Sequence, residues 1–409
     1  MTYDLIIIGM GLSGLMGAKT AAEAGRKVLI VGKGMGCLYL FSNTIDLLGN
    51  LPKAVRVKEG LSQWIKDHPK HPYSKIGPEK IEEALTSFLS LFPPPYSFQT
   101  IENGNCLIPT GAGTLRPTYF IPITMVAGPS LKEGNGLIVG FKGFKDFYAH
   151  YVADQLKCRG TTLTFPNFSD QEMTATALAR LMEKKSFREN IGMEIKKQLH
   201  HETHVGFPAT LGIRNPIQVK EDLEKIIGAN VFEIPILPPS IPGIRIFNRF
   251  KEWLTQKGVT FLTGYSVSKA IIKGKRCEGM EITHPPVITS YSADRYILAT
   301  GRFMGGGLVA SDERISEPIF GLPVAQPKSR GDWFGKSFLN HLSHPVHEAG
   351  ILADASFRPT NENGNPILEN VWAAGSILAH HHCIGEKSRE GIEISTGYWA
   401  ARYALGTSK

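Results

Sequence analysis

The fold of this chain is decided by DLIIIGMGLSG, the stretch at residues 4–14. Its apolar first half predicts a buried β-strand, and its second half carries three glycines with the spacing G-x-G-x-x-G. Gly9 permits a tight turn after the strand, Gly11 lets the backbone approach a phosphate group, and Gly14 lets the next helix pack closely against the sheet. The stretch therefore predicts the start of a fold that binds a nucleotide or a flavin.

The residues that follow complete a strand-helix-strand unit. An alanine-rich helix is predicted over residues 13–23, Gly25 ends it, and a second apolar strand follows at residues 27–31. A phosphate group binds well at the N-terminus of such a helix, because unpaired backbone N–H groups point outward there. We therefore predict that Leu12 and Ser13 contact the cofactor phosphate together with the three glycines.

The end of the second strand lacks the acidic residue that usually binds the adenosine ribose of NAD or flavin adenine dinucleotide (FAD). The sequence there is Gly32-Lys33-Gly34, and we include all three residues among the predicted cofactor contacts. A lysine beside a missing carboxylate favours a phosphate over a ribose diol, which makes flavin mononucleotide (FMN) the preferred cofactor. FAD stays open, because backbone contacts can hold the adenosine and Gly32 can be a simple loop glycine.

The overall composition limits the class of protein. The chain has 409 residues, of which 42% are hydrophobic, enough for a sizeable core and for two or three domains. Its net charge of +8 is spread out, so an anionic substrate, acidic partner or anionic membrane surface is compatible, whereas nucleic acid is not an expected partner. We see no membrane span and no export signal before the first strand, which predicts a cytoplasmic protein.

Cysteine and histidine positions give no pattern of a metal site. The five cysteines are dispersed and form no CxxC pair, which argues against disulfides, zinc and an iron–sulfur cluster in this chain. The sequence at residues 380–383 is His-His-His-Cys, but adjacent side chains in a turn rarely converge on one ion. We predict no metal site and interpret this run as a loop that closes over the cofactor.

Proline-rich stretches at residues 93–95 and 238–243 punctuate the chain and suggest domain boundaries. The region between them has no second glycine fingerprint, and we interpret it as a cap over the site. The predicted fold class is α/β: an interrupted Rossmann-like flavin-binding domain, with a central parallel sheet plus a small antiparallel meander, and an inserted α+β cap domain. The predicted segments are residues 1–50, 241–304 and 346–409 for the flavin-binding domain, residues 51–240 for the cap, and residues 305–345 for a return through the cap region.

Two later strand ends carry small residues that would let the chain pass close under a cofactor. Residues 294–301 read as a buried strand that ends in Ala-Thr-Gly, and residues 371–376 as a second strand that ends in Gly-Ser. A helix is predicted over residues 391–403, and its N-terminus would direct backbone N–H groups at an electron-rich ring. The predicted cofactor contacts from these markers are Ala299, Thr300, Gly301, Gly375, Ser376, Gly391 and Ile392.

Three such markers in this order resemble the flavoproteins with two dinucleotide-binding folds. The C-terminal part is similar to their succinate dehydrogenase and fumarate reductase branch, in which a histidine before a glycine, a later aspartate and a strand ending near Ala-Gly recur, here His347, Asp354 and Gly375. Over nearly its full length the chain resembles the B subunits of the anaerobic glycerol-3-phosphate dehydrogenases. The stretches that carry this resemblance are residues 42–48, 71–74, 113–116, 237–240, 243–245, 306–310 and 317–319.

This resemblance implies a place in a respiratory complex. The chain would be the flavin-containing partner of a catalytic A subunit, also a flavoprotein, and of a membrane-docked iron–sulfur C subunit. The complex would oxidise sn-glycerol 3-phosphate to dihydroxyacetone phosphate and pass electrons to quinone. The chain would then lie on the cytoplasmic face of the inner membrane, with only indirect membrane contact.

The resemblance also implies site residues and one departure from the family. Family members are described with FMN, and the matched stretch implies Ser42, Asn43 and Thr44 as further cofactor contacts. The turn before the last helix is glycine-rich in the family, but here residues 386–390 read Glu-Lys-Ser-Arg-Glu. Such a turn is compatible with a firmer phosphate grip, a different flavin contact or a solvated helix N-terminus.

Oxidation of a secondary alcohol at a flavin needs a base for the hydroxyl proton and cations for the phosphate. His347 is the candidate base, since the ordinary pKa of histidine is about 6.5. Arg302 is the preferred phosphate ligand, ahead of Arg116, Arg245 and Arg358, although a structural role for each side chain stays open. Two other functions also stay open: a non-catalytic docking subunit with a decayed flavin site, and an independent flavoenzyme of the fumarate reductase type.

Overall fold

The structure is a computed structural model that describes residues 2–52, 55–101, 104–164, 172–338 and 343–407. The strands are β1 Thr2–Ile8, β2 Val28–Gly32, β3 Phe98–Gln99, β4 Cys106–Pro109, β5 Leu115–Thr118, β6 Ile121–Pro122, β7 Gly136–Phe141, β8 Arg159–Leu163, β9 His204–Pro208, β10 Asn230–Ile234, β11 Thr260–Thr263, β12 Ser266–Lys273, β13 Arg276–His284, β14 Val287–Leu298, β15 Val309–Ala310, β16 Ile315–Ser316, β17 Val324–Ala325, β18 Gly350–Ile351 and β19 Val371–Ala373. The helices are α1 Leu12–Glu23, α2 Val57–Asp67, α3 Pro78–Leu89, α4 Ala149–Gln155, α5 Ala175–Met182, α6 Lys185–Gln198, α7 Pro216–Ile227, α8 Ile241–Gln256, α9 Cys383–Glu386 and α10 Arg389–Leu405.

The larger sheet has seven strands and begins with the glycine-rich unit. β1 lies between β2 and β14 and runs parallel to both, β11 extends the sheet beyond β2, and β19 lies parallel to β14. β1 and β2 are almost entirely buried, which explains why they read as continuous apolar runs rather than alternating ones. β12, β13 and β14 form an antiparallel meander. The predicted α/β class, parallel sheet and meander are confirmed.

Helices α1 and α10 pack against each other beside this sheet. Small residues allow the close approach: a Cβ atom on Gly397 of α10 would lie 2.4 Å from the carbonyl oxygen of Ser13 in α1. Nearly every residue of α10 is buried, including three charged residues in its first turns, Arg389, Glu390 and Glu393. A helix buried on all sides is part of the core, so these charges need partners inside the protein.

The inserted region contains a second parallel sheet with its own hydrophobic core. Four parallel strands lie in the order β10-β9-β7-β8, and helices occur between successive strands along the chain. Residues 137–241 supply the buried side chains of this second core. We call residues 136–241 the inserted unit, and we count with it the start of α8 up to Arg245, which pairs with Glu233 of β10. This unit has α/β architecture, whereas the prediction described the whole cap as α+β. The antiparallel strand pairs β3–β6 and β4–β5 come before it in the chain.

The core of the larger sheet includes residues that were predicted to belong to the cap. These residues lie both before and after the inserted unit in the chain. Buried residues of α2 and α3 belong to the core of the larger sheet, and Trp399 of α10 donates a hydrogen bond to the Lys80 carbonyl oxygen of α3 (2.8 Å). Leu308, Phe320 and Trp333 belong to the same core. Residues 305–338 therefore pack with the flavin-type sheet and not with the inserted unit, while residues 339–342 of the predicted return lie outside the described residues.

Candidate functional site

A cavity of about 700 Å³ opens at the carboxyl ends of β1, β2 and β14. Ligands bind in this place in open α/β sheets, because the chain diverges to opposite faces there. The walls are the glycine turn after β1, the end of β2 with the segment after it, the loop after β14, and the region around α9 and α10. The lining residues are 8–13, 31–34, 36, 37, 39–41, 265–268, 299–306, 309, 318, 319, 347, 376, 382–384, 389 and 393.

The glycine turn has the geometry that the sequence predicted. Gly9 has a φ of +117°, and a Cβ atom there would lie 2.2 Å from the carbonyl oxygen of Ala299. A Cβ atom on Gly14 would lie 2.0 Å from the carbonyl oxygen of Gly9, so Gly14 sets the packing of α1. Gly11 differs from both, because a Cβ atom there would meet nothing within 4 Å and its backbone lines the cavity. The turn is therefore rigid where it packs and open where a ligand would bind.

The surroundings of the turn fit the phosphate of a nucleotide cofactor. No side chain caps the N-terminus of α1, and its first turn has no acidic residue. Its backbone N–H groups, beginning at Leu12 and Ser13, are left to bind an anion. The hydroxyl of Thr300 and the Nε of Arg302 are buried with no hydrogen-bond partner, and both residues line the cavity. Unpaired donors in a buried wall fit a group rich in acceptor atoms, such as a flavin.

One end of the cavity lies beside the position where an acidic residue is usual. Gly32, Lys33 and Gly34 line it together with residues 265–268. A Cβ atom on Gly32 would lie 3.0 Å from the Met10 Cγ, so an acidic side chain at position 32 would require Met10 to move. The cavity nevertheless continues past Gly32, so the missing acid does not close this end.

Two histidines form the wall at the other end. The rings of His347 and His382 stack with centroids 4.7 Å apart. The hydroxyl of Ser343 lies 2.7 Å from the Nδ1 of His347 and 3.1 Å from the Nε2 of His382, so it bridges the two rings. Burial lowers the pKa of both histidines; His344 and Arg302 lower that of His347 further, and His347 lowers that of His382 further. Both imidazoles are therefore neutral at pH 7, and a neutral ring can accept a proton.

Arg302 has a different role from the phosphate ligand predicted from the sequence. Its guanidinium donates hydrogen bonds to three backbone carbonyl oxygens, those of His347, Leu378 (2.9 Å) and His381 (2.9 Å). These bonds tie the turn Pro345–Glu348 to the segment before α9. Arg302 therefore holds the two histidine-bearing loops together, and its Nε alone is left without a partner.

The three other arginines considered for phosphate binding are also bound to acceptors within the protein. Arg116 pairs with Asp46 and donates to the hydroxyl of Ser42 (2.7 Å). Arg358 pairs with Asp354 at 2.9 Å. Arg245 lies in the inserted unit, where it donates to both carboxylate oxygens of Glu233 (2.6 and 2.7 Å) and to the carbonyl oxygen of Gly212 (2.8 Å). None of these three lines the cavity.

The charged turn at residues 386–390 is part of the buried structure and not a solvated helix end. The carboxylate of Glu386 accepts hydrogen bonds from the backbone N–H of His382 (2.8 Å) and the hydroxyl of Ser388 (2.8 Å), and it lies 3.2 Å from the Nε2 of His71. Arg389 follows, is only 6% exposed and lines the cavity. Of the three roles left open for this turn, the solvated one is excluded.

Thirteen of the residues predicted from the sequence line the cavity, and seven do not. The thirteen are Gly9, Gly11, Leu12, Ser13, Gly32, Lys33, Gly34, Ala299, Thr300, Gly301, Arg302, His347 and Ser376. The seven have positions behind the wall. Gly14 packs α1 onto the turn, and Gly375, with a φ of +82°, leaves room for the side chain of Ser13. These two glycines shape the wall without forming its surface.

The five remaining residues outside the cavity wall lie in two places, the segment before β3 and the start of α10. Asn43 donates to the carbonyl oxygen of Leu38 (2.8 Å), while Ser42 and Thr44 accept from Arg116. A Cβ atom on Gly391 would lie 2.2 Å from the hydroxyl of Tyr73, so Gly391 and the buried Ile392 pack against the core. None of these five residues lines the wall of the cavity, and their contact with the cofactor stays a prediction.

Several residues of the wall escaped the sequence reasoning. They lie on short turns or at the starts of α9 and α10: Met10, Cys37, Tyr39, Leu40, Phe41, Tyr265, Phe303, Met304, Ile384, Arg389 and Glu393. The unusual charges at residues 386–390 were the one signal for Arg389, and no signal marked Glu393. Nothing in the local sequence marks the others of this set. His382 and Cys383, which also line the cavity, belong to the run at residues 380–383 that was interpreted as a loop over the cofactor.

Comparison with known proteins agrees with this site. The model of the family described as FAD binding domain matches residues 4–388. A Halobacterium salinarum protein, named as the B subunit of a probable anaerobic glycerol-3-phosphate dehydrogenase, is 30% identical over 98% of this chain and 97% of the relative. The chain belongs to this family of B subunits. A Vibrio cholerae protein, named as the B subunit of an anaerobic glycerol-3-phosphate dehydrogenase, is 28% identical over all of this chain and 97% of the relative.

One solved structure aligns with the whole of this chain. The crystal structure of 3-ketosteroid delta1-dehydrogenase from Sterolibacterium denitrificans covers the whole of both chains with a TM-score of 0.46 and 11% identity, and no functional statement follows from it. In the described residues, no helix is both long and apolar enough to cross a membrane. The family, the flavin-binding domain and the oxidoreductase class are thus shown for this chain.

Proposed function

We propose that the chain is the flavoprotein B subunit of a quinone-linked anaerobic glycerol-3-phosphate dehydrogenase, in which its flavin relays electrons and does not itself oxidise the substrate. The observation that carries the proposal is the cavity: it fits a flavin, yet each arginine in its wall is bound to protein atoms and has a single buried guanidinium nitrogen without a partner. Arg302 is bound to three carbonyl oxygens and Arg389 to a neighbouring carboxylate. A dianionic substrate would find no bidentate arginine clamp in the described wall.

The proposed cofactor is FAD, which revises the preference for FMN drawn from Gly32. Two observations support the larger nucleotide. The matched family is described by FAD, and the cavity continues past Gly32 to residues 265–268, the side where an adenosine would lie. Release of the chromophore from the purified chain and its identification by chromatography and mass separate FAD from FMN.

The residues of the wall have definable tasks in such a relay. The flavin, when bound, supplies the electron-accepting and electron-donating ring. The N-terminus of α1 binds its phosphate through backbone N–H groups, which Gly11 leaves accessible. Arg302 fixes the loop of His347 and the loop of His382 in one arrangement. Apolar side chains that are exposed to solvent, including Phe303 and Ile384, line the same wall.

Direct oxidation of glycerol 3-phosphate by this chain is the second candidate. One observation favours it: His347 is a neutral imidazole in the cavity wall, with its Nδ1 held by Ser343. The opposite nitrogen, Nε2, has the chemistry of a base that accepts the hydroxyl proton of a secondary alcohol. In this alternative Lys33 is the cation of the wall that can bind the substrate phosphate, and a bidentate arginine clamp would have to come from another chain.

The proposed assembly follows the names of the relatives, which denote one subunit of several. We propose that the chain binds a catalytic A subunit, itself a flavoprotein, and a membrane-docked iron–sulfur C subunit that leads electrons to quinone. Its own membrane contact would be indirect, on the cytoplasmic face.

The test combines flavin content with activity. The purified chain is expected to hold about one flavin per chain and to oxidise glycerol 3-phosphate poorly with an artificial dye until the A subunit is added. Equal rates without the partner contradict the relay and support direct oxidation. The absence of flavin after anaerobic purification and reconstitution supports a docking subunit, and activity on fumarate alone supports the independent flavoenzyme.

A further inference from the structure

The start of α10 carries an incompletely paired arginine in the cavity wall. The guanidinium of Arg389 contacts the carboxylate of Glu390 and stacks over the ring of Phe41, with its Cζ 4.1 Å from the ring centroid. Its Nη1 has no hydrogen-bond partner, and the Oε2 of Glu393 lies 3.9 Å from it, beyond hydrogen-bond distance. Arg389 and Glu393 are each 6% exposed, and both line the cavity.

A buried and unpaired N–H group is costly, so its presence needs an explanation. A second buried arginine of this chain has a hydrogen-bond partner for each of its three guanidinium nitrogens. Arg245 is 5% exposed and places its three guanidinium nitrogens on Glu233 and the carbonyl oxygen of Gly212. Arg245 does not line the cavity. The difference indicates that the free Nη1 of Arg389 has a partner that belongs in the cavity.

The position of the pair identifies which part of a flavin it would meet. Glu393 lies beside Ser13, since its Cγ would be 3.8 Å from a Cβ atom on Gly375, which itself would contact the Ser13 hydroxyl. Arg389 is preceded along the chain by the wall residues His382 and Cys383. The charges of Arg389, Glu393 and Arg302 all act on the Cys383 thiol, so the pair lies between Ser13 and the histidine end of the cavity, where we place the ring of a flavin.

We propose that Arg389 and Glu393 form a charge-balancing site for the flavin ring, in which the free Nη1 of Arg389 donates to the ring and Glu393 binds one proton as electrons arrive. The inference rests on the proposed flavin-binding function and extends it to named residues. For two electrons supplied by a reductant, one proton from water binds the ring and leaves it with one negative charge. A second proton from water converts the Glu393 carboxylate to the acid, so the local charge stays constant.

The surroundings of Glu393 suit a proton acceptor. Burial, opposed by Arg389 and assisted by Glu390, raises the pKa of Glu393 to about 7. From the neighbouring elements, Cys37 in the turn Gly36–Tyr39 and Cys383 in α9 face the pair, and Asp46 with Arg116 lies behind Glu390. An added negative charge on the ring favours the protonated form of Glu393 further.

The experiment measures the flavin midpoint potential of the complete flavin-loaded chain from pH 6 to pH 8, by reduction with dithionite against reference dyes. Replacement of Arg389 by glutamine (R389Q) is expected to shift the reduction equilibrium at least tenfold towards oxidised flavin, about 30 mV for a two-electron couple. Replacement of Glu393 by glutamine (E393Q) removes a negative charge only where Glu393 is ionised. It is expected to shift the equilibrium at least tenfold towards reduced flavin at pH 8 and little at pH 6.

The matched control is E233Q, which alters the other buried arginine pair and is expected to leave the potential unchanged at every pH. If R389Q fails to fold, E393Q decides alone, because glutamine has the shape of glutamate. Flavin bound with wild-type potentials in R389Q and E393Q overturns the inference while the proposed function stands. A wild-type chain that binds no flavin instead overturns the proposed function, and the inference with it.

Discussion

The two parallel sheets of this protein use buried charge in opposite ways. In the inserted unit, arginines hold carboxylates in the ionised form: burial would raise the pKa of Glu202, but hydrogen bonds from Arg159 and backbone N–H groups outweigh it and lower that pKa to about 2. Beside the cavity, burial dominates and raises the pKa of Asp46 and of Glu393 to about 7. Arginines keep carboxylates ionised in the first region, whereas beside the cavity Asp46 and Glu393 are poised to bind a proton although each has an arginine nearby.

The largest effect should come from breaking a complete pair in the inserted unit. Replacing Glu233 by alanine leaves Arg245 buried without a counter-ion and removes the acceptor of the Leu211 backbone N–H. We expect the free energy of unfolding to fall by about 3–5 kcal/mol, measured by urea denaturation. As the matched variant beside the cavity, E393Q should lower it by less than about 1 kcal/mol at pH 6; equal losses in the two variants would remove the contrast between the regions.

A smaller effect should separate packing from binding within the glycine turn. Alanine at position 14 would collide with the Gly9 carbonyl oxygen, so Gly14→Ala should cost about 2–3 kcal/mol. Leucine at position 11 meets no protein atom near its Cβ, so Gly11→Leu should keep nearly wild-type thermal stability and lose the flavin. Thermal denaturation and flavin absorbance measure the two properties. Full flavin occupancy in Gly11→Leu would show that the turn is not the phosphate site.

The smallest effect concerns pH and has opposite signs in the two regions. Glu393 has a folded-state pKa raised from 4.5 to about 7, so its contribution to stability is present below pH 4.5 and is lost as the pH rises towards 7. Glu202 has a lowered pKa, so its contribution is present above pH 4.5 and is lost as the pH falls towards 2.

Denaturant titrations at several pH values measure this difference. Between pH 5 and pH 8 the wild-type chain should lose about 1–2 kcal/mol of unfolding free energy more than E393Q does, because glutamine does not ionise. Glu202→Gln should instead flatten the loss below pH 4.5. The same pH slope in wild type and E393Q would mean that Glu393 stays ionised or stays protonated throughout this range.

Regular periodicity made most of the fold predictable. The apolar runs and glycine spacing predicted β1, α1 and β2 within a residue or two at their ends, and the Ala-Thr-Gly marker predicted the end of β14 at the cavity. The segments around residues 57–89 and 305–338 were assigned to the cap, because an amphipathic helix or short strand shows that it packs without showing on which sheet. Long-range contacts such as that of Trp399 with Lys80 decide this.

The candidate site also has features that the sequence determined and features that only the tertiary structure decided. Backbone constraints are local, so the sequence by itself determined the glycine turn at Gly9, Gly11 and Gly14, the missing acid at Gly32 and the membership in a flavoprotein family. The hydrogen-bond partners of a charged side chain, by contrast, often lie far away in the sequence. Only the tertiary structure decided that Arg302 holds two loops together, that Glu386 is anchored inside the protein and that Arg389 has a free Nη1 in the wall. A charged side chain looks the same in any sequence, and its role depends on the acceptors that folding brings to it.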